Sequence, residues 1–198
     1  MPNYFHFKVP AEGIDFNHPL ASQQCSFIKT DGHRCKLHVV FGLPLCFIHR
    51  KKEYKVSVKP STIPNAGKGL FADDGSRDNS IVFREGNKIV PYYGETLNKQ
   101  QMDNRYGLTK TAPYAIQLRP DETSLDGAVR RGIGTLINHK SRSYANTRFS
   151  LNRPRTEINL IATKNIKNKQ ELFVPYGGDY RFNEPGLFTT TNNKKYNI

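Results

Sequence analysis

From residue 55 onward the apolar side chains come in short runs, each cut off within a few residues by Gly, Asn or Pro. A helical core needs apolar positions recurring over ten or more residues, whereas a strand needs only a handful. KVSVK (55–59) alternates as a half-buried strand does. GLFA (69–72), SIVFRE (80–85), KIVPYY (88–93), YAIQL (114–118), TRFSL (147–151), EINLIAT (157–163) and ELFVPY (171–176) read as further strands. Asn98 is a good helix N-cap ahead of KQQMDNRY. The fold class is therefore mainly β with a few short helices (α+β) and long connections. At 36% apolar residues the core is lean, and 12 Phe and 10 Tyr supply much of it in the absence of Trp.

The first 24 residues carry Pro2, Pro10, Gly13 and Pro19 with little periodicity and read as an irregular arm. No apolar run approaches the ~18 residues that cross a bilayer, so no membrane partner is expected. MPNYFHFKVP lacks the charged start and apolar stretch of a secretory signal, which predicts an intracellular location.

All three cysteines fall within residues 25–46, an odd number in a chain that reads as intracellular, which argues against a disulfide framework. Cys25, Cys35 and Cys46 with His49 make a tetrahedral zinc set, with His38 as a fifth candidate. Only Cys46-x-x-His49 has the usual knuckle spacing, and Gly32 and Gly42-Leu43-Pro44 stand where turns are required. The alternative is three buried thiols in a small β element. Four protein ligands would leave no open position, so a zinc ion here would be structural. Residues 25–53 are read as this small module, joined through the basic Arg50-Lys51-Lys52 to the strand at 55–59.

The formal charge is +13, and seven Lys or Arg with no Asp or Glu lie between Gly127 and Thr156. Such a surface draws polyanions, nucleic acid first among them; a merely solvated basic face is the other reading.

Four separated elements occur in a fixed order. Ala66-Gly67-Lys68-Gly69-Leu70-Phe71-Ala72 is a Gly-x-Gly running into a strand. Tyr92-Tyr93-Gly94-Glu95 ends a strand, Ile137-Asn138-His139 is followed seven residues later by Ala145-Asn146, and Glu171-Leu172-Phe173-Val174-Pro175-Tyr176-Gly177 closes the series. Taken alone, Asn138-His139 reads as readily as a turn, and any one tyrosine as core. In this order, over roughly residues 54–182, the elements resemble the SET-domain protein lysine methyltransferases, whose motifs run GxG, YxGE, INHSxxPN and ELxxxYG. The compact size is most similar to the SET proteins of large DNA viruses.

The resemblance implies a SET fold of small sheets with a C-terminal pseudoknot over 54–182, followed by a lid and polar tail over 183–198. It implies S-adenosylmethionine as cofactor, held by Gly67, Lys68, Gly69, Leu70, Asn138 and His139. It places Tyr176, Tyr92 and Phe149 around a lysine channel. The chain departs from the family pattern at Thr135, where Arg often stands, at Lys140 in place of Ser, at Ala145 in place of Pro, and at Val174 in place of an aromatic. Phe149 is the compensating aromatic, and Phe there implies room for di- or trimethyl products. No cysteine follows Tyr176, so no zinc-closed post-SET lid is expected, and Tyr180, Phe182 and Phe188 are the candidates to wall the channel. The implied function is methylation of a histone, in the nucleosome or free, or of another basic protein, with DNA gripped by the basic face. The rival is a non-catalytic chromatin or nucleic-acid binder on a degenerate scaffold. The implied locations are the nucleus, a viral factory of a host cell, or a virion; a homodimer is left open.

Overall fold

The computed structural model describes residues 23–39, 43–64, 66–106, 112–118, 123–128, 131–177 and 180. The arm before residue 23, Phe182, Phe188 and the polar tail lie outside these residues.

Strands β1 (Gln23–Gln24) and β2 (His38–Val39) pair antiparallel, with Cys25 and Cys35 on the loop between them. The Arg34 guanidinium ties the loop back by donating to the carbonyls of Cys25 and Gln24 at 2.8 and 2.7 Å. Gly32, at φ +78°, makes the expected turn. Helix α1 (Phe47–Tyr54) starts directly after Cys46, so the predicted basic joint at Arg50-Lys51-Lys52 is instead helical. The reason is local: Lys51 and Lys52 sit in the last turn, where the helix dipole favours cations. Lys55 then stops the helix in the left-handed region, its N–H bonded to the Lys51 carbonyl.

Strands β3 (Val56–Pro60) and β4 (Lys68–Ala72) form an antiparallel hairpin. β5 (Ile81–Phe83) and β6 (Lys88–Tyr92) follow, then β7 (Glu95–Leu97) and α2 (Lys99–Tyr106). Asn98 caps α2 as predicted: its Oδ1 accepts from the Gln101 N–H at 2.9 Å, and Gln101 Oε1 accepts from the Asn98 N–H at 3.0 Å. β8 (Ala115–Gln117) and β9 (Ser124–Asp126) complete a three-stranded sheet in the order β7-β9-β8. The short polar sequences of β7 and β9 gave no strand signal. They are fixed by a buried ion pair, Arg105 donating to Asp126 at 2.6 Å and to Glu95 at 2.7 Å, with Tyr106 donating to Asp126 at 2.9 Å. A buried carboxylate requires this degree of compensation.

A 3-10 turn (Ile133–Leu136) leads into β10 (Asn138–His139); β11 (Thr147–Leu151) and β12 (Ile158–Ala162) pair antiparallel, and β12 also pairs with β6. β13 (Ile166–Lys167) joins β5, and β14 (Phe173–Val174) runs parallel to β10. Alternation on β12 sends Ile158, Leu160 and Ala162 inward. Leu70, Val90, Ile166, Leu172 and Val174 are likewise fully buried, each contributing about 1.5–3 kcal/mol by burial. The same core continues through Val56 to Leu43, Leu45 and the three cysteines, so the N-terminal module packs onto the body. Asp73 reinforces that junction with Lys51 at 2.9 Å. No helix of the described residues is long and apolar enough to cross a membrane.

Candidate functional site

Two clusters of polar groups stand out, one around β10 and β14, the other among the cysteines. In the first, the segment 171–176 is interleaved between β10 and the start of β11. On one side the Lys140 N–H donates to the Val174 carbonyl at 3.2 Å. On the other, Asn146 bonds twice: its Nδ2 donates to the Glu171 carbonyl and its Oδ1 accepts from the Phe173 N–H, both at 2.8 Å. Thr147 Oγ1 adds a donation to the Phe173 carbonyl at 2.8 Å. The Asn146 and Thr147 bonds join residues about 25 positions apart in sequence.

Beneath this interleaved segment lies Glu171, 5% exposed. Its carboxylate accepts from Ser61 Oγ at 2.7 Å, from the Thr62 N–H and Oγ1 at 2.6 Å each, and from Asn138 Nδ2 at 3.1 Å. A buried carboxylate is stabilised by such a donor shell. Glu171 thus bolts the loop before Gly67 to the Asn138 strand. It also explains Gly69, since a Cβ there would run into the Glu171 carboxylate and crowd Asn138. Gly67 takes φ +70°, open to glycine at no steric cost.

Asn138 Nδ2 also donates to the Lys68 carbonyl at 3.1 Å, so Gly67, Lys68, Gly69, Leu70 and Asn138 are brought together. The bonds of its amide nitrogen leave Asn138 Oδ1 as an acceptor. That donor–acceptor arrangement fits the ammonium of the S-adenosylmethionine amino-acid part. His139 Nδ1 accepts from the Tyr176 N–H at 2.9 Å, and burial lowers the imidazole pKa, which keeps the ring neutral.

Tyr176 donates its hydroxyl to the Ile137 carbonyl at 2.7 Å, and Tyr92 donates to the Tyr114 carbonyl at 2.6 Å. Burial drives both phenols well above their ordinary pKa, and Tyr180 is pushed up to about 12 by the same cause. After burial, a like charge on Tyr114 also disfavours ionisation of all three. Tyr176 lies 4.8 Å from Tyr180 and 5.2 Å from His139. Phe149 on β11 meets Tyr92 edge-on at 5.6 Å. Tyr114, under the Arg131 guanidinium at 4.4 Å, and Glu171 were not singled out in the sequence. Glu171 opens the ELxxxYG motif, whereas Tyr114 had no signal beyond an aromatic ahead of a short strand.

In the second cluster the ligand atoms of Cys25, Cys35, Cys46 and His49 all lie within 4.8 Å of one another, and all four residues are buried. A tetrahedron with Zn–S bonds of about 2.3 Å sets its corners about 3.8 Å apart. His49 Nδ1 is 3.5 Å from Cys25 Sγ and 3.2 Å from Cys46 Sγ, and no disulfide joins the thiols. Burial raises the Cys25 thiol, while the Leu37 N–H lowers that of Cys35. Arg50, 8% exposed, donates to the Leu45 carbonyl, yet its buried Nε has no partner. Zinc with three thiolates carries one negative charge, which that guanidinium would balance. The donor set therefore fits zinc. His38 is exposed and stands outside the cluster.

A SET-domain family model matches residues 67–177, more than half of the chain, and the protein belongs to the SET-domain family. No curated protein sequence matches it significantly. Among solved structures it is similar to a humanized mutant of the Chaetomium thermophilum Polycomb Repressive Complex 2 bound to the inhibitor GSK343, with a TM-score of 0.52 and 25% identity over 64% of this chain and 15% of that one. It is likewise similar to the Chaetomium thermophilum Polycomb Repressive Complex 2 bound to GSK126, at TM-score 0.51 and 26% identity over 64% and 16%. A third is ctPRC2 in an autoinhibited conformation bound to S-adenosylmethionine, at TM-score 0.51 and 25% identity over 64% and 16%. The chain spans less than a fifth of the length of the chains it matches.

Proposed function

We propose that this protein is an S-adenosylmethionine-dependent protein-lysine N-methyltransferase acting on a histone. The observation that carries the reading is the convergence of Asn138, His139 and the Lys68 carbonyl with a cluster of neutral tyrosines, through the interleaved 171–176 segment. Gly67 to Leu70, Asn138 and His139 would hold the cofactor, and its amino group would meet the Asn138 Oδ1 acceptor. Bound there, S-adenosylmethionine supplies an electrophilic methyl group on a sulfonium.

The remaining work falls to the tyrosines. A free lysine side chain has a pKa of about 10.4 and is charged at neutral pH. A buried channel disfavours the ammonium, so the amine enters reaction neutral. Tyr176 and Tyr92 each commit their single hydroxyl proton to a backbone carbonyl, so each oxygen presents acceptor lone pairs to an amine N–H. The raised phenol pKa values keep these oxygens uncharged. Alignment of this kind can lower a barrier by about 7–11 kcal/mol in favourable cases. Phe149, against Tyr92, would set the room left for a second or third methyl group.

The cysteine cluster would bind one structural zinc ion through Cys25, Cys35, Cys46 and His49. The +13 charge supports contact with a polyanion such as nucleosomal DNA. Intact-mass spectrometry of core histones and of nucleosomes, after incubation with the protein and S-adenosylmethionine, tests the reading. Gains in methyl steps, lost with Tyr176→Phe, are expected. No gain together with no cofactor binding by calorimetry would favour the non-catalytic binder, for which Thr135 in place of the family's Arg speaks.

A further inference from the structure

The basic stretch 127–156 is less uniform than its sequence suggests. Arg131 lies over the Tyr114 ring, and Arg155 donates to the Leu118 carbonyl at 3.4 Å, so both serve the fold. Lys140 of that stretch instead meets lysines from two other connections. A cavity of about 380 Å³ opens beside Glu171 and Phe173, and Lys140, Lys164 and Lys169 line it from three separate connections. None of the proposed cofactor or lysine-channel residues does.

Two amide side chains of this cavity are arranged as donors. Asn165 Oδ1 accepts from the Glu85 N–H at 3.2 Å, and Gln170 Oε1 accepts from the Lys167 N–H at 2.7 Å. With each amide oxygen engaged by backbone, each side chain's remaining group is its NH2. Tyr144, 74% exposed, adds a hydroxyl. Glu171, the one carboxylate in the lining, already accepts four hydrogen bonds. Lys169 pairs with Asp78 at 2.7 Å, but both are more than half exposed, so the pair is readily exchanged.

The Lys140 ammonium lies over the Phe173 ring at 4.0 Å, at the cavity wall. With the ammonium groups of Lys164 and Lys169, the donor amides and a phenol, it matches a phosphate oxyanion, for which lysine serves as a point charge. Lys164, Asn165, Lys169 and Gln170 are all exposed, as an extended polymer requires, and Arg142 and Arg148 present further exposed cations nearby in sequence to Lys140 and Tyr144. We propose that this cavity is a phosphate site that seats the backbone of duplex DNA. The proposal rests on the chromatin reading and deepens it by naming where the DNA is held.

The test is fluorescence anisotropy of a short duplex with the full chain and no S-adenosylmethionine, so its outcome is independent of methyl transfer. Asn165→Asp combined with Gln170→Glu keeps each backbone bond but turns two donors into acceptors. Asn87→Asp with Asn98→Asp is the control, because those Oδ1 atoms also accept a backbone N–H, from Arg84 and Gln101, and the charge change is identical. The cavity pair should weaken DNA binding by about ten-fold or more and make the salt dependence shallower, while the control changes little. Lys164→Gln, a single exposed change, should weaken binding by a few-fold. Equal losses in the cavity pair and the control would overturn the proposal, leaving only general charge. A loss of nucleosome binding with free DNA unaffected would overturn it in favour of an acidic protein surface. Inorganic pyrophosphate bound tightly and not displaced by duplex would overturn it in favour of a small phosphate compound. Thermal midpoints of all variants establish that the folds compared are intact.

Discussion

The interleaved segment and the cysteine module each gather distant polar groups, yet they do so in opposite ways. Around Glu171 the donors and acceptors are protein groups that complete one another: Ser61, Thr62 and Asn138 fill the carboxylate, and Asn146 closes onto the backbone of β14. Among the cysteines, three sulfurs and an imidazole face one another, and Arg50 Nε is buried without a partner. One region is complete in protein alone, whereas the other has the chemistry of a site completed by an ion. The difference predicts which region fails, and how, when single groups or a metal are removed.

The largest effect should come from the cysteine module. Structural zinc in small modules contributes about 10–16 kcal/mol of apparent binding free energy. Cys46→Ser, or a strong chelator, should bring zinc from one per chain to near zero. It should lower the thermal midpoint by about 10 °C or more, since at this size each kcal/mol moves it by roughly 2–4 °C. Elemental analysis beside calorimetry checks both. A purified protein with well under one zinc per chain and an unchanged midpoint after chelation would make the module metal-free and erase the contrast.

Next is Glu171→Gln, which sets an NH2 against a shell of donors. It should cost about 2–4 kcal/mol by denaturant unfolding and weaken S-adenosylmethionine binding, because Asn138 and the loop before Gly67 lose their common anchor. Tyr176→Phe removes only the hydroxyl bonded to the Ile137 carbonyl. On the proposed mechanism it should reduce turnover by roughly 100-fold while cofactor affinity stays nearly constant. If Glu171→Gln were silent in both stability and binding, the self-sufficiency of this region would be refuted.

Acid should separate the two regions further. Burial lowers the pKa of His139, so the unfolded chain binds the proton more readily and its protonation favours unfolding. This imidazole therefore supports stability above its unfolded pKa of about 6.5 and progressively loses that contribution as pH falls towards the folded value. His139→Asn, which retains an acceptor for the Tyr176 N–H, should show a shallower loss between neutral and mildly acid pH than the wild type. Chemical denaturation at matched pH measures it, and the difference isolates His139 from the acid sensitivity of the cysteine cluster.

Much of this was legible because the relevant residues keep fixed company in sequence. Gly67–Leu70, Asn138-His139 and Tyr176 sit in ordered motifs, and the structure brings Asn138 to Lys68 and His139 to Tyr176. The clustered cysteines pointed to one small site, and Cys25, Cys35, Cys46 and His49 do meet. Strands with clear alternation, such as β3, β11 and β12, were readable to within a residue or so. What escaped depends on contacts made only after folding. β7 and β9 are three residues each and hold because Arg105 bridges Glu95 and Asp126. Helix α1 was hidden because its sequence, FIHRKKEY, is dominated by charge that is useful only once a helix terminus exists to receive it. Tyr114 joins the tyrosine cluster through its backbone carbonyl, a group that every residue carries and no motif can mark.

The smallest effect concerns Phe149, assigned to the wall of the proposed lysine channel. Phe149 meets Tyr92 edge-on at 5.6 Å, and β11 holds it there by pairing Phe149 with Leu160 on β12. Its backbone is therefore anchored in the sheet, so on the proposed mechanism a hydroxyl added to the ring would enter the lysine channel rather than shift the strand. A tyrosine would bring both bulk and an acceptor oxygen that can hold the amine or a water where a further methyl group would go. Phe149→Tyr should therefore leave stability and the first methyl transfer nearly unchanged while shifting product from di- and trimethyl towards monomethyl lysine, read by intact-mass spectrometry at full conversion. An unchanged product distribution in an active variant would mean that the space beside Tyr92 does not limit methyl number, and would move that limit to Tyr114 or Tyr180 within the same cluster.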